Sequence, residues 1–190
     1  MSELEWLAAL LGVVNVILVV RRSIWNFPFA LTMVTLYFFV FSDAKLYSDA
    51  LLQIFFFAIN LYGWWAWSKA PQVDEGVAVE RMGLTARLAW LAGTAAASLG
   101  WGWGMATYTD AAAPFADAAV AGMSVAAQIL QSLRRFEAWI LWIAVDILAI
   151  GLYATRGLLV TSGLYALFLI LAVAGLLSWH RNLVSKVLPQ

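Results

Sequence analysis

The sequence predicts an all-α integral membrane protein with seven transmembrane helices. Three observations carry this: a composition poor in charge, seven apolar runs, and a lopsided distribution of basic residues. Of 190 residues, 64% are hydrophobic and 12% charged, whereas a soluble domain carries roughly a quarter charged residues. The deficit runs along the whole chain, so lipid must solvate much of its surface. The runs lack the apolar–polar alternation of barrel strands.

The elements follow in order. Span 1 runs from Glu5 to Val20 and stops at Arg21-Arg22. Span 2 opens at Trp25-Asn26-Phe27-Pro28 and ends near Phe41; Pro28 suits a first helical turn, where its missing N–H costs little. Span 3 covers Ser48 to Trp67, and the charged stretch after it holds Lys69, Asp74, Glu75, Glu80 and Arg81, broken by Pro71 and Gly76. Span 4 is Leu88 to Thr107, followed by a link with Asp110, Pro114 and Asp117. Span 5 is Phe115 to Leu133, then Arg134-Arg135; span 6 is Trp139 to Tyr153, and span 7 Leu158 to Trp179. Several runs are shorter than the roughly 20 residues a crossing helix needs, and terminal Trp and Tyr extend them into the interface.

Basic residues set the expected orientation. The N-terminus and the links 2–3, 4–5 and 6–7 hold only Lys45 and Arg156. The other side holds Arg21, Arg22, Lys69, Arg81, Arg87, Arg134, Arg135, Arg181 and Lys186. The positive-inside rule then puts the N-terminus outside, in the periplasm, and the C-terminus in the cytoplasm. The first segment begins with Glu3 and Glu5 rather than a basic region, and no small-residue cleavage site precedes Arg21, so it reads as a retained helix.

Composition also narrows the function. Net charge is zero, which leaves no nucleic-acid footprint. There is no Cys, and the single His is His180, so disulfides, thiolate metal sites and His-based catalysis in the membrane are excluded. Membrane hydrolases need clustered nucleophile-activating groups, and one deep carboxylate does not supply them. The expectation is a non-enzyme without cofactor or metal. Gly100-Trp101-Gly102-Trp103-Gly104 permits close helix contact; as a nucleotide loop it fails, because no Lys follows.

Landmarks recur along the chain. Arg21-Arg22 and Arg134-Arg135 are 113 apart, Trp25 and Trp139 114, and Gly63/Trp67 and Gly175/Trp179 112. The chain thus divides into a first three-helix unit (5–67), a linker helix (88–107) and a second unit (115–179), all in one transmembrane domain. Three spans plus one make an even number, so both units enter from the same side as a parallel repeat. Such repeats hold substrate between the halves near the midplane.

Polar groups inside the spans mark the candidate site, since unpaired ones are costly in hydrocarbon. In span 3, Gln53, Phe57, Asn60, Trp64 and Trp67 fall at spacings of four, three, four and three, one helical stripe. Two amides beside aromatic faces suit a flat polar heterocycle; the alternative is helix-packing glue. In span 6, Trp142 and Asp146 share a face with Trp139 and Tyr153. Asp146 is the deep carboxylate, open to substrate contact, packing or proton coupling. Candidate pore-wall residues are Tyr37, Gln128, Gln131 and Tyr165, with Asn15 and Phe168 beside them.

Two segments resemble a known family. Leu46-Tyr47, Leu51-Leu52-Gln53-Ile54-Phe55-Phe56-Phe57-Ala58, Asn60 and Tyr62-Gly63-Trp64-Trp65-Ala66-Trp67 are similar to the third span of the PnuC vitamin transporters. Glu137, Trp139, Leu141-Trp142 and Asp146 resemble its sixth, and Trp25-Asn26-Phe27-Pro28 its second. The resemblance implies a SWEET-like arrangement of three, one and three helices. It also implies facilitated diffusion of nicotinamide riboside, or of thiamine or another B vitamin, with a cytoplasmic kinase trapping the product. Gln53 and Asn60 would bind substrate, opposite Trp142 and Asp146. The implied partners are that small molecule, the bilayer, the kinase and, in a homo-oligomer, a second copy. Many nicotinamide riboside carriers have Asn where this chain has Asp146 and Ala138. An ionised carboxylate accepts hydrogen bonds or pairs with a cation but cannot donate.

Overall fold

The computed structural model describes residues 3–43, 47–74, 76–110, 113–155, 157 and 159–185. Seven helices stand in the order expected: α1 Glu3–Val20, α2 Asn26–Asp43, α3 Tyr47–Ser68, α4 Leu84–Tyr108, α5 Pro114–Ser132, α6 Ala138–Thr155 and α7 Leu159–Ser185. Between α3 and α4 lies a small antiparallel hairpin, β1 Gln72–Val73 and β2 Gly76–Val77, pairing Gln72 with Val77. The sequence-based bounds fall within a few residues of these, the largest extensions being four residues at the start of α4 and six at the end of α7. Lys45, Leu46, Arg156 and Lys186 lie outside the described residues.

Helix α1 packs on α2 and α2 on α3; α5 packs on α6 and α6 on α7. Two seams, α3 on α5 and α1 on α7, close these six into a ring, and α4 lies outside it against α5. Five helices, α1, α2, α3, α6 and α7, are both long and apolar enough to cross a membrane. The other two have the length but a more polar composition. Physically, α5 is sheltered by α3, α4 and α6, with Ala126, Ala127, Gln128, Leu130, Gln131 and Ser132 buried, so it needs less apolar surface.

Helices α1 and α5 end alike. Arg22 (φ 58) and Arg134 (φ 57) both adopt the left-handed conformation. Arg22 N–H donates to Val19 O and Ser23 N–H to Leu18 O; Arg134 N–H donates to Gln131 O and Arg135 N–H to Leu130 O, all at 2.8–2.9 Å. This is the Schellman closure, usually made by Gly. An Arg there costs roughly 1–2 kcal/mol. The segment 70–82 holds both turns: Val77 N–H donates to Arg22 O (3.2 Å) and Glu80 N–H to Arg134 O (3.0 Å). The Arg22 guanidinium in turn donates to Val73 O and Val77 O. Burial lowers its pKa below the ordinary arginine value, and the Asp74 carboxylate works against that shift.

The same end carries the densest core: Val19, Phe27, Trp67, Val77, Val79, Phe136, Trp139, Ala172 and Trp179. Trp67 Nε1–H donates to Gln131 O (3.3 Å) and Ser132 O (3.2 Å), and Trp179 Nε1–H to Val19 O (3.1 Å). Phe27 meets Trp67 edge-on at 5.2 Å; Trp139 meets Trp179 edge-on at 5.5 Å. A Cβ on Gly63 would strike the Phe27 ring, and one on Gly175 the Trp139 ring. Each of these pairs is related by 112 residues. The pairing of Trp25 with Trp139 is therefore corrected. Trp25 is 67% exposed, and Phe27 occupies the place equivalent to Trp139. Both rings sit one helical turn past the Schellman corner, and the tryptophan letter alone had suggested the wrong partner.

Candidate functional site

The seam between α3 and α5 is polar. Gln128 Nε2 donates to Asn60 Oδ1 at 3.1 Å, while Asn60 Nδ2 donates to Phe56 O, one turn back on its own helix, at 2.8 Å. Both amides are buried. One turn along α5, Gln131 Oε1 accepts the Trp142 Nε1–H at 2.8 Å. Ser132 Oγ donates to Ile59 O at 3.3 Å. One turn beyond Trp142 on α6 stands Asp146, 3% exposed between the buried Val145 and Ala149. A chain of amide, amide, indole and carboxylate thus runs from α3 through α5 to α6.

An aromatic wall stands on α6 and α7. Tyr153 and Tyr165 stack at 5.3 Å, and Phe168 meets Tyr165 edge-on at 6.0 Å. Gly12 on α1 lets Met33 of α2 and Phe168 of α7 approach, at 3.1 and 3.5 Å from where its Cβ would stand. Phe168 therefore belongs to the place where the first and last three helices meet. Asn15, one turn along α1 from Gly12, holds a buried Oδ1 without a hydrogen-bond partner. Tyr37 is half-buried and stacks on Phe41 at 5.5 Å.

The sequence-predicted residues divide accordingly. Asn60, Gln128, Gln131, Trp142 and Asp146 are brought together, and Tyr165 lies in the aromatic wall. Gln53 is half-buried two turns before Asn60 on the same face. Phe57 and Trp64 are each 39% exposed and take no part in the polar chain. At roughly 100° per residue they lie about 60° and 40° round the helix from Asn60, which is enough to carry them to the edge of the buried stripe. Trp67 is fully buried in the end core, where it closes a helix end.

Glu137 has a structural role that its sequence position did not reveal. Its carboxylate accepts the Met82 N–H at 3.1 Å and pairs with Arg87 at 2.7 Å, tying the start of α4 to the start of α6. The partners are 50 and 55 residues away, so no local spacing signals it. The described basic residues Arg22, Arg81, Arg87, Arg134 and Arg135 all gather at this end through such contacts.

Comparison with known proteins places this geometry. Residues 2–181 match the family described as nicotinamide mononucleotide transporter. The nicotinamide riboside transporter PnuC of Neisseria mucosa is 31% identical over 196 residues, covering 95% of this chain and 73% of the relative. Its namesake in Escherichia coli is 28% identical, covering 95% and 87%. The riboflavin/roseoflavin transporter RibM of Streptomyces davaonensis is 25% identical, covering 90% and 81%. A solved structure, the crystal structure of the vitamin B3 transporter PnuC, superposes with a TM-score of 0.79 at 26% identity, covering 96% of this chain and 82% of that one. Seven helices in this arrangement, closed at one end by paired tryptophans and bridged by a chain of polar side chains, thus recur in proteins that carry vitamins, and the chain is a multi-pass membrane protein of the nicotinamide mononucleotide transporter family to which the PnuC proteins belong.

Proposed function

We propose that this protein carries nicotinamide riboside across the bacterial inner membrane by facilitated diffusion. The observation that carries the reading is the chain Asn60–Gln128, Gln131–Trp142 and Asp146, which spans the seam between the first and last three helices. The pyridinium ring would stack on Trp142 or the Tyr165–Phe168 wall, its cation facing Asp146. Asn60 and Gln53 would hydrogen-bond the carboxamide or ribose. The recurrence of contacts at 112 residues supports a parallel repeat of three-helix units joined by α4, with substrate between them. The gathering of arginines at one end supports a cytoplasmic C-terminus and a periplasmic N-terminus, and a cytoplasmic kinase would trap the product.

The second reading is thiamine, which also carries a ring cation for Asp146. Riboflavin, named for the relative RibM, is neutral and gains nothing from a carboxylate. Competition for binding of labelled nicotinamide riboside to the purified protein separates them. Displacement by unlabelled nicotinamide riboside at lower concentration than by thiamine or riboflavin is expected. Tight thiamine binding with no response to nicotinamide riboside would sink the leading assignment. Proton coupling through Asp146 is tested in liposomes with an imposed pH gradient: uptake by the Asp146→Asn variant that equals wild type and ignores pH rules it out.

A further inference from the structure

A second cavity, outside the ring of six helices, has no part in the transport reading. It measures about 260 Å³ and lies where α4 begins and α5 ends, lined by Arg81, Met82, Gly83, Ala86, Trp90, Leu130, Leu133 and Arg135. One end is cationic. Four arginines, Arg81, Arg87, Arg134 and Arg135, meet two carboxylates there. Arg134 and Arg135 share Glu80, and Arg87 is taken by Glu137. Arg81 is exposed, makes no ion pair among the described residues, and rests over the Phe136 ring at 6.0 Å. Helix α4 also starts at Gly83 without a side-chain cap, so its first N–H groups add positive potential. The other end is apolar: Ala86, Trp90, Leu130 and Leu133. It continues into the outer face of α4, where Leu84, Leu88 and Leu91 are exposed.

We propose that this cavity binds the head group of an anionic glycerophospholipid. The arginines would take its phosphate, and Trp90 and the leucines would receive the first carbons of its acyl chains. A charged end joined to an apolar one matches a lipid better than a free phosphate ester, which leaves the apolar wall empty. The volume falls just below the roughly 300–1,000 Å³ of small-molecule sites, which fits a head group whose chains stay in the bilayer. The site is at the arginine-rich end of the helices, and basic pockets between transmembrane helices bind anionic head groups on the cytoplasmic side.

The test uses the full chain, delipidated in neutral detergent, with binding read by native mass spectrometry and by thermal unfolding. The probes are phosphatidylglycerol, phosphatidylcholine and glycerol phosphate. Phosphatidylglycerol should be retained and raise the unfolding temperature; the other two should not. Arg81→Ala should weaken its retention about fivefold, one surface arginine's share. Ala86→Trp, which fills the cavity and leaves every charge in place, should abolish it. Equal retention of phosphatidylglycerol by wild type and both variants would overturn the proposal, as would equal binding of phosphatidylcholine. Glycerol phosphate binding as tightly as the lipid would assign the site to a soluble phosphate ester instead.

Discussion

The side-chain amide of Gln128 donates to the side-chain oxygen of Asn60 across 3.1 Å, and the pair ties α5 to α3 where both are buried. Asn60 spends one of its own N–H groups on Phe56 O, which leaves one donor and one lone pair for a substrate. The amide is therefore both a strut and a contact. Gln128→Leu should leave the Asn60 oxygen unsatisfied and cost about 1–3 kcal/mol. Asn60→Leu with Gln128→Leu should cost less than the two single changes together, by about 0.5–3 kcal/mol of coupling. Thermal unfolding of the four proteins measures this, and strict additivity would contradict it.

Trp142 is held by one bond to Gln131. Gln131→Leu should leave the indole in place but free to rotate. Its N–H bond is worth about 0.5–1.5 kcal/mol, so substrate affinity should fall about two- to tenfold with little change in folding. Trp142→Ala should lose binding altogether. Equilibrium binding of labelled substrate, run beside thermal unfolding, distinguishes loss of orientation from loss of fold.

Two glycines should be intolerant of any side chain. A Cβ on Gly63 would stand 2.7 Å from the Phe27 ring, and one on Gly175 would strike the Trp139 indole. Gly63→Ala and Gly175→Ala should each cost about 1–3 kcal/mol through overpacking. Gly151→Ala on α6 meets open space and should be neutral or stabilising by up to about 1 kcal/mol. Unfolding temperatures of the three variants give the comparison.

Glu137 serves the fold of the arginine-rich end. Glu137→Ala strands the Met82 N–H and the Arg87 guanidinium and should destabilise by about 1–3 kcal/mol. Glu137→Gln keeps one acceptor and should lose less. Substrate affinity, corrected for the folded fraction, should stay unchanged in both. A selective loss of affinity would move Glu137 into the transport path.

The helices were legible because each apolar run is bounded by charge, Pro or interfacial aromatics, and lipid enforces that pattern. Asn60, Gln128, Gln131, Trp142 and Asp146 were legible because polar groups at membrane depth need a reason to be there. What the sequence hid is of two kinds. Phe57 and Trp64 share the stripe of Asn60 in spacing, yet a rotation of less than a quarter-turn separates packing from exposure, and only the neighbouring helices fix that angle. Phe27 shares the role of Trp139 without sharing its identity, so matching letters pointed to Trp25 instead. Glu137 looked like part of the site because it stands close to Trp139 and Trp142, whereas its partners come from the far side of the 70–82 segment.

The end core carries a consequence for ancestry. Trp67 closes the end of α5 and Trp179 closes the end of α1, 112 residues apart in donor, and Gln131 and Val19 are likewise 112 apart in acceptor. Each group of three helices thus presents one indole and receives another. A surface that is its own complement can close on a copy of itself with two-fold symmetry. The contacts within this single chain are those of a dimer whose two subunits were joined end to end by α4. Fusion freed the two copies to diverge: the positions of Gln131, Trp142 and Asp146 correspond to Val19, Ala30 and Val34 in the other copy. One copy kept the scaffold, and the other acquired the side chains that choose the cargo.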